Sequence, residues 1–291
     1  MDLRAIGMGL AFALMWSSAF TSARVIVEYA PPMSALALRF LVSGLLGVGI
    51  AWALGQSARL TKSQWRAVVI FGICQNALYL GLNFVAMKTV EASLAAIIAS
   101  TMPLIVALAG WLVFREKIRP LAMTGLLAGV IGVTIIMSAR FSGGVDVAGV
   151  IYCGVGVVSL AVATLMVRNA SSGGNVLMIV GLQMLVGAAV LFVPAVLLET
   201  HTVTLSWQLV VAFTYTTLVP GLFATWIWFM LVGRIGAVRA ATFHFLNPFL
   251  GVAIAAVLLG EKLGADDVLG VIIIAGGILA VQMSKQPVTN R

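Results

Sequence analysis

Long apolar runs alternate with short polar connections along the whole of this 291-residue chain. A run of about 20 mostly apolar residues is long enough to cross the hydrocarbon core of a bilayer as an α-helix. The first run is too long for the core of a signal peptide and lacks a convincing cleavage box, so we count it as a helix. The pattern predicts ten such helices, at residues 3–27, 33–54, 64–87, 91–114, 119–138, 147–168, 175–198, 207–232, 237–259 and 265–284.

One stretch of the chain occurs twice. Residues 91–138 align without a gap with residues 236–283, at a shift of 145 positions. Besides three alanines, the identical positions are a proline, a Glu-Lys pair and two glycines: Pro103 with Pro248, Glu116-Lys117 with Glu261-Lys262, Gly125 with Gly270 and Gly132 with Gly277. We interpret this repeat as the trace of a duplicated five-helix unit, which is typical of transporters.

The duplication divides the chain into a first half at 1–138, a linker at 139–146, a second half at 147–284 and a tail at 285–291. Because five crossings is an odd number, the second half begins on the opposite side of the membrane. The sequence therefore predicts an all-α membrane protein with ten transmembrane helices, arranged as two inverted five-helix repeats. A pseudo-two-fold axis in the membrane plane should relate the two halves.

Composition excludes most soluble classes of protein. Hydrophobic residues make up 62% of the chain and charged residues only 9%, whereas a soluble domain carries about 25% charged residues. The net charge of +8 does not indicate a nucleic-acid partner, because the basic residues lie singly or in small groups between apolar runs. Cys74 and Cys153 lie in apolar runs without metal-ligand spacing, so we expect no metal site, cofactor or disulfide.

The basic residues also predict the orientation of the chain, since cytoplasmic connections are enriched in Lys and Arg. If the N-terminus is cytoplasmic, twelve of the 17 basic residues fall on the cytoplasmic side and four on the other. The cytoplasmic set is Arg4, Arg59, Lys62, Arg66, Arg115, Lys117, Arg119, Arg168, Arg234, Arg239, Lys285 and Arg291, and the external set is Arg24, Lys88, Arg140 and Lys262. We therefore expect both termini in the cytoplasm.

In a bundle of inverted repeats, the solute site lies near the bilayer midplane, where the halves meet. Polar and aromatic residues in the middle of apolar helices are the candidates, because polar groups there are costly unless they face the interior. The candidate substrate-binding residues are Trp16, Phe20, Asn76, Tyr79, Asn83, Ser100, Met102, Thr164, Tyr215, His244 and Asn247. Pro103 and Pro248 each remove a backbone donor, which predicts a helix break or hinge in each half.

Several of these residues have a structural interpretation as well. Trp16 can pack or anchor at the interface, and Ser100 can permit close helix approach. The asparagines of the third helix can bond to neighbouring helices, and a structural role for His244 is favoured over proton transfer. For Arg39, which lies six residues into its helix, we favour a guanidinium that extends to the external interface over one that binds a solute carboxylate.

The acidic residues all lie at or near predicted helix ends. A proton-coupled exporter of cationic drugs would place a carboxylate in its first helix, where this chain has Ala13-Leu14-Met15-Trp16. An interior of aromatic, amide and hydroxyl side chains instead suits a neutral or zwitterionic solute with an apolar side chain.

The motifs of the repeat resemble those of the drug/metabolite transporter superfamily, and within it of the EamA family. The matching motifs are Glu91-Ala-Ser-Leu-Ala-Ala, Met102-Pro103 and Phe114-Arg-Glu-Lys117 in the first half, and Ala240-Ala, Asn247-Pro248 and Leu259-Gly-Glu-Lys262 in the second. Trp16-Ser-Ser-Ala-Phe20 and Gln75-Asn76-Ala-Leu-Tyr79 make the chain most similar to bacterial inner-membrane exporters of aromatic amino acids. This resemblance implies export of amino acids, including aromatic ones.

We therefore expect an inner-membrane transporter, not an enzyme, that exports aromatic or other apolar neutral amino acids by alternating access around a central cavity. Its partners would be the solute and the lipid bilayer, and we expect a monomer. The alternatives are a uniporter or importer of another metabolite, such as a nucleoside or sugar derivative, and a multidrug exporter. A lipid-modifying membrane enzyme would need a catalytic or metal cluster, and a scaffold without transport would leave the repeat unexplained.

Overall fold

The structure is a computed structural model that describes residues 3–113, 115, 119–167, 174–235, 240 and 242–284. Regular structure within these residues is helical throughout, in ten successive apolar segments. They are α1 (Leu3–Tyr29), α2 (Pro32–Ala53), α3 (Lys62–Ala86), α4 (Ala92–Leu112), α5 (Pro120–Ser142), α6 (Val147–Val167), α7 (Val176–Leu198), α8 (207–235), α9 (242–259) and α10 (Ala265–Ser284).

Nine helices in the described part of the chain are long and apolar enough to cross a membrane. The helix of α9 is shorter, at Phe243–Leu259. The predicted all-helical, multi-pass membrane protein is thus confirmed, while the inverted relation of the halves stays a prediction. Several positions used in the sequence argument lie outside the described residues, namely Glu116-Lys117, Arg168, Ala237, Arg239, Ala241 and the tail 285–291.

Four helices contain irregular turns. A π-helical segment occupies Gly72–Leu80 within α3, and a second one occupies Thr217–Phe223 within α8. The α-helix of α4 stops at Ser100 and resumes at Met102, next to Pro103, and α9 begins with a 3₁₀ turn at Thr242–Leu246, just before Pro248. Irregular backbone therefore occurs at both prolines, as their chemistry predicts, but the π-helical segments were not foreseen from the sequence.

Contacts divide the chain into two compact units. Unit I contains Met1–Thr21, Glu91–Val147 and Ile227–Arg291, and unit II contains Ser22–Val90 and Ala148–Trp226. Each unit therefore combines segments from both predicted halves of the sequence, so packing does not follow the order of the duplication.

The duplicated glycines form a close helix contact in unit I. A Cβ atom on Gly125 of α5 would lie 2.6 Å from the carbonyl oxygen of Gly277 in α10, and one on Gly132 would lie 2.8 Å from that of Gly270. The two helices run antiparallel, and each glycine of one repeat meets the non-equivalent glycine of the other. Small residues that let backbones approach are a common basis of helix packing in membranes.

Unit II has an equivalent contact between α2 and α7. A Cβ atom on Gly181 would lie 2.7 Å from the amide nitrogen of Val48 and 3.0 Å from the carbonyl oxygen of Gly44. Val48 and Ala51 extend this contact by packing against Met178. Each unit therefore contains one close antiparallel helix pair of this kind.

Carboxylates cap two helices from a distance in sequence. Glu261 accepts hydrogen bonds from the backbone N–H groups of Ala92 (2.8 Å) and Ser93 (2.9 Å) at the start of α4. Glu199 does the same for Met33 (2.7 Å) and Ser34 (2.8 Å) at the start of α2. These carboxylates satisfy N–H groups that have no partner inside the helix, and they oppose the positive end of the helix dipole.

An ionic cluster joins three helix ends in unit I. Arg140 at the end of α5 donates to both carboxylate oxygens of Asp267, at 3.0 Å each, and also to Glu91. The Asp267 side chain is only 6% exposed and that of Arg140 16%. The described acidic residues thus lie at helix ends, as predicted, but the sequence did not show that these three would pair.

Replacing Gly277 by Ala should destabilise the protein by about 2 kcal/mol, because the new methyl group would overlap the backbone of Gly125, which cannot move aside alone. Gly276→Ala is the matched control, since no atom lies within 4 Å of its Cβ position. It should be neutral or slightly stabilising, because Ala favours helix by up to about 1 kcal/mol. Thermal unfolding of the two purified variants in detergent measures the difference, and equal Tm values would contradict the close contact.

Replacing Arg140 by Met should cost about 3 kcal/mol, because Asp267 would keep a buried charge without its partner. Arg59→Met, in an exposed connection, should change stability by less than about 0.5 kcal/mol. Chemical denaturation of both variants tests the ionic cluster. An Arg140→Met protein as stable as Arg59→Met would show that the pairs contribute nothing.

Candidate solute-binding residues

The start of α9 places two predicted site residues in direct contact. Asn247 Nδ2 lies 3.0 Å from His244 Nδ1. An amide NH₂ group only donates, so Nδ1 accepts and the imidazole carries its proton on Nε2. Ser17 Oγ donates, at 3.4 Å, to the side-chain and backbone oxygens of Asn247. His244 and Asn247 are thus held together by a hydrogen bond, with the Ser17 hydroxyl beside them.

Aromatic rings surround this polar pair on the side of α1 and α8. The rings of Phe12 and Trp228 lie 5.3 Å and 5.1 Å from the His244 ring, both with edge-on geometry, and 4.7 Å from each other. Trp16 continues the group, 5.6 Å from Phe12. We call Phe12, Trp16, Trp228, His244 and Asn247 the aromatic–amide cluster. All of it lies in unit I.

The sequence predicted Trp16, His244 and Asn247 for the site but not Phe12 or Trp228. Phe12 precedes Trp16 by four residues, so helical spacing on α1 was the signal that could have identified it. The contact of Trp228 with α9 depends on tertiary structure and has no equivalent signal in the sequence.

The other candidates of unit I are less open to a solute. Ser100 Oγ donates to the carbonyl of Ala96 at 2.6 Å, within its own helix, and Phe20 is buried. Met102 is half-buried and begins the second part of α4, next to Pro103. The hydroxyl of Ser100 is therefore committed to the backbone at the break in α4.

In unit II, two predicted asparagines of α3, Asn76 and Asn83, lie on and just after its π-helical segment. We call them the amide stripe. Asn76 Nδ2 donates to the carbonyl of Gln183 in α7 at 2.9 Å. Asn83 Nδ2 donates to the carbonyl of Tyr79 at 2.8 Å, within the same helix. Its Oδ1 is buried and has no hydrogen-bond partner in the described structure. A buried acceptor without a partner is costly, so Asn83 is the member of this stripe best suited to receive a donor from a ligand.

The remaining candidates of unit II differ in exposure. Tyr79 is almost fully buried at 2% exposed, whereas Tyr215 on α8 is 36% exposed. Thr164 Oγ1 donates to the carbonyl of Leu160 at 2.8 Å, within α6. Thr164 therefore has a local partner, like Ser100 in unit I.

We expected Arg39 to extend to an exposed surface, but it does not. It is 5% exposed, and its Nε donates to the carbonyl of Thr216 at 3.2 Å, where the π-helical segment of α8 begins. Pro220, four residues after Thr216, has no N–H with which to bond that carbonyl. The helix-break rule applied to Pro103 and Pro248 thus also applies to Pro220, but the contact of Arg39 with this carbonyl could be identified only from the structure.

The sequence profile of the EamA-like transporter family matches this chain twice, over residues 3–138 and 147–283. The chain therefore belongs to the EamA-like transporter family. Its apolar helices and its family together identify a multi-pass membrane transporter protein.

Similar proteins are found over nearly the full length of the chain. The "Uncharacterized transporter YvbV" of Bacillus subtilis (strain 168) is 26% identical over 282 residues, which cover 95% of this chain and 91% of that protein. A "Probable amino-acid metabolite efflux pump" of Salmonella typhimurium is 23% identical over 297 residues, or 93% and 92% of the two chains. A crystal structure with 21% identity matches with a TM-score of 0.69 over 97% of this chain and 98% of the other, which supports the fold.

Proposed function

We propose that this protein exports neutral amino acids with aromatic or other apolar side chains across a bacterial inner membrane. The observation that carries the proposal is the aromatic–amide cluster, in which His244 and Asn247 lie among the rings of Phe12, Trp16 and Trp228. The relative named as an amino-acid metabolite efflux pump gives independent support.

The chemistry of the cluster matches such a solute. Tryptophan and phenylalanine faces bind apolar and aromatic side chains, while amide and imidazole groups can hydrogen-bond polar groups of the solute. The described acidic residues lie at helix ends rather than in mid-helix, which argues against carboxylate-mediated export of cationic drugs. A neutral solute with an apolar side chain is therefore the best match.

Alternating access is the proposed mechanism, with a central site near the bilayer midplane and both termini in the cytoplasm. Two features support an inverted repeat behind this mechanism. The duplicated glycines pack reciprocally, Gly125 on Gly277 and Gly132 on Gly270. A two-fold axis perpendicular to the two helices would produce this pairing. The irregular turns at Pro103 and Pro248 supply one break in each half, of the kind that lines sites in transporters.

Purified protein in liposomes should move labelled phenylalanine or leucine down its gradient with saturable kinetics. Unlabelled aromatic and branched amino acids should compete, and nucleosides and sugars should not. No saturable flux for any of the twenty amino acids would exclude the proposed substrate class. Saturable flux of a nucleoside or sugar derivative would favour the alternative of a uniporter for another metabolite.

Replacing Trp16 or Asn247 by Ala should reduce the flux of phenylalanine at least fivefold, because each change removes a contact worth about 1 kcal/mol or more. Trp207→Ala and Asn175→Ala are matched controls, since Trp207 is exposed at the start of α8 and Asn175 precedes α7. All four proteins should be compared at equal amounts of folded protein in the bilayer. If all four variants transported phenylalanine as fast as the wild type, the cluster would be assigned to packing alone.

A further inference from the structure

Arg39 lies in the interior of unit II and has no acidic partner among the residues that the structure describes. Arg39 is only 5% exposed. The ion pairs among the described residues involve other side chains, namely Arg24–Glu28, Arg140–Glu91 and Arg140–Asp267. A charged side chain at membrane depth is costly and normally pairs with another charge or with backbone carbonyls. Arg39 has only part of that compensation.

One hydrogen bond accounts for the polar contacts of this guanidinium in the described structure. Nε donates to the Thr216 carbonyl at 3.2 Å, and the guanidinium carbon lies 5.2 Å from the centre of the Phe40 ring. A guanidinium carries five N–H donors, so four donors remain on the two terminal nitrogens. These four donors form the edge that binds a carboxylate with two parallel hydrogen bonds.

A second polar group without a partner lies beside Arg39. Ser43, one turn further along α2, is 0% exposed, and its Oγ has no hydrogen-bond partner in the described part of the chain. A Cβ atom on Gly221 of α8 would lie 3.5 Å from Arg39 Nη2 and 3.6 Å from Ser43 Oγ. The guanidinium and the hydroxyl therefore face the same point of the α8 backbone, where glycine has no side chain.

The same part of α8 is its least regular part. Gly221 and Pro220 lie within the π-helical segment Thr217–Phe223, and Thr216 Oγ1 donates to Ser22 Oγ at 2.7 Å just before it. π-Helical turns inside α-helices are frequent at functional sites. Because Arg39 and Ser43 are both buried in this conformation, a ligand would reach them when this segment rearranges.

We propose that Arg39 and Ser43 form a carboxylate-binding site, and that its ligand is the α-carboxylate of the transported amino acid. The identity of the ligand rests on the proposed function, whereas the site itself rests on the uncompensated charge and the unpartnered hydroxyl. The carboxylate would neutralise the guanidinium through Nη1 and Nη2 and accept a hydrogen bond from Ser43 Oγ. Arg39 would then select solutes that carry a carboxylate.

Flux in liposomes tests this selection directly. Unlabelled phenylalanine should compete with labelled phenylalanine at least tenfold better than phenylalaninamide, which lacks the carboxylate. Arg39→Gln should lower phenylalanine flux at least tenfold, Arg39→Lys should retain part of it, and Ser43→Ala should lower it about threefold. Arg24→Gln is the matched control, because Arg24 already pairs with Glu28 and bonds to the Met87 carbonyl. It should leave the preference for the acid over the amide unchanged.

Thermal unfolding in detergent tests the site without transport. Phenylacetate at about ten times its Kd should raise the Tm of the wild type by about 3 °C, and phenylacetamide or chloride should not. The rise should disappear in Arg39→Gln and shrink in Ser43→Ala, a variant that keeps the charge and so controls for misfolding. Equal stabilisation of Arg39→Gln, or equal effects of acid, amide and chloride on the wild type, would overturn the proposed site.

The two assays separate this site from the proposed function. Wild-type protein that moves no amino acid, but is stabilised by phenylacetate only when Arg39 is present, would exclude the amino-acid substrate and keep the carboxylate site. Phenylalanine flux that is the same in wild type and Arg39→Gln would keep the function and exclude Arg39 as its anchor.

Discussion

The need to satisfy every backbone polar group inside the bilayer governs this structure. In hydrocarbon, an unpaired N–H or carbonyl costs several kcal/mol, so lipid-facing segments must be regular helices. Irregular turns are tolerated only where protein, water or ligand replaces the missing partners. In this protein, such turns occur in α3, α4, α8 and α9, and most of the candidate site residues lie on or beside them. The exceptions to the helical rule therefore coincide with most of the positions that the sequence proposes for the site.

Close helix packing supplies the rigid background for these turns. Without a hydrophobic driving force between helices in lipid, backbone approach at small residues becomes the main source of cohesion. The glycine contacts between α5 and α10 in unit I, and between α2 and α7 in unit II, have this character. The carboxylates of Glu199 and Glu261 then fix the starts of α2 and α4. The π-helical segment of α3 packs on α7 just as closely, since a Cβ atom on Gly72 would lie 2.9 Å from the carbonyl oxygen of Gln183.

Much of the fold could be read from the sequence, because a bilayer imposes a helix length that composition reveals directly. The repeat also drew attention to Pro103 and Pro248, next to which irregular turns occur. The site was harder to predict. Helical periodicity placed Trp16, His244 and Asn247 on suitable faces, but it could not show that Trp228 would join them or that Ser100 would bond within its helix. The burial of Arg39 was missed because its partner carbonyl belongs to a helix 177 positions away.

Arg39 and Pro220 act on the same backbone carbonyl. Proline cannot supply the N–H that an α-helix would donate to Thr216, and Arg39 donates to that carbonyl from another helix. Residues that share a partner in this way are the ones whose substitution free energies fail to add. The effects of changing Arg39 and Pro220 should therefore be non-additive, so neither position can be interpreted from single variants alone.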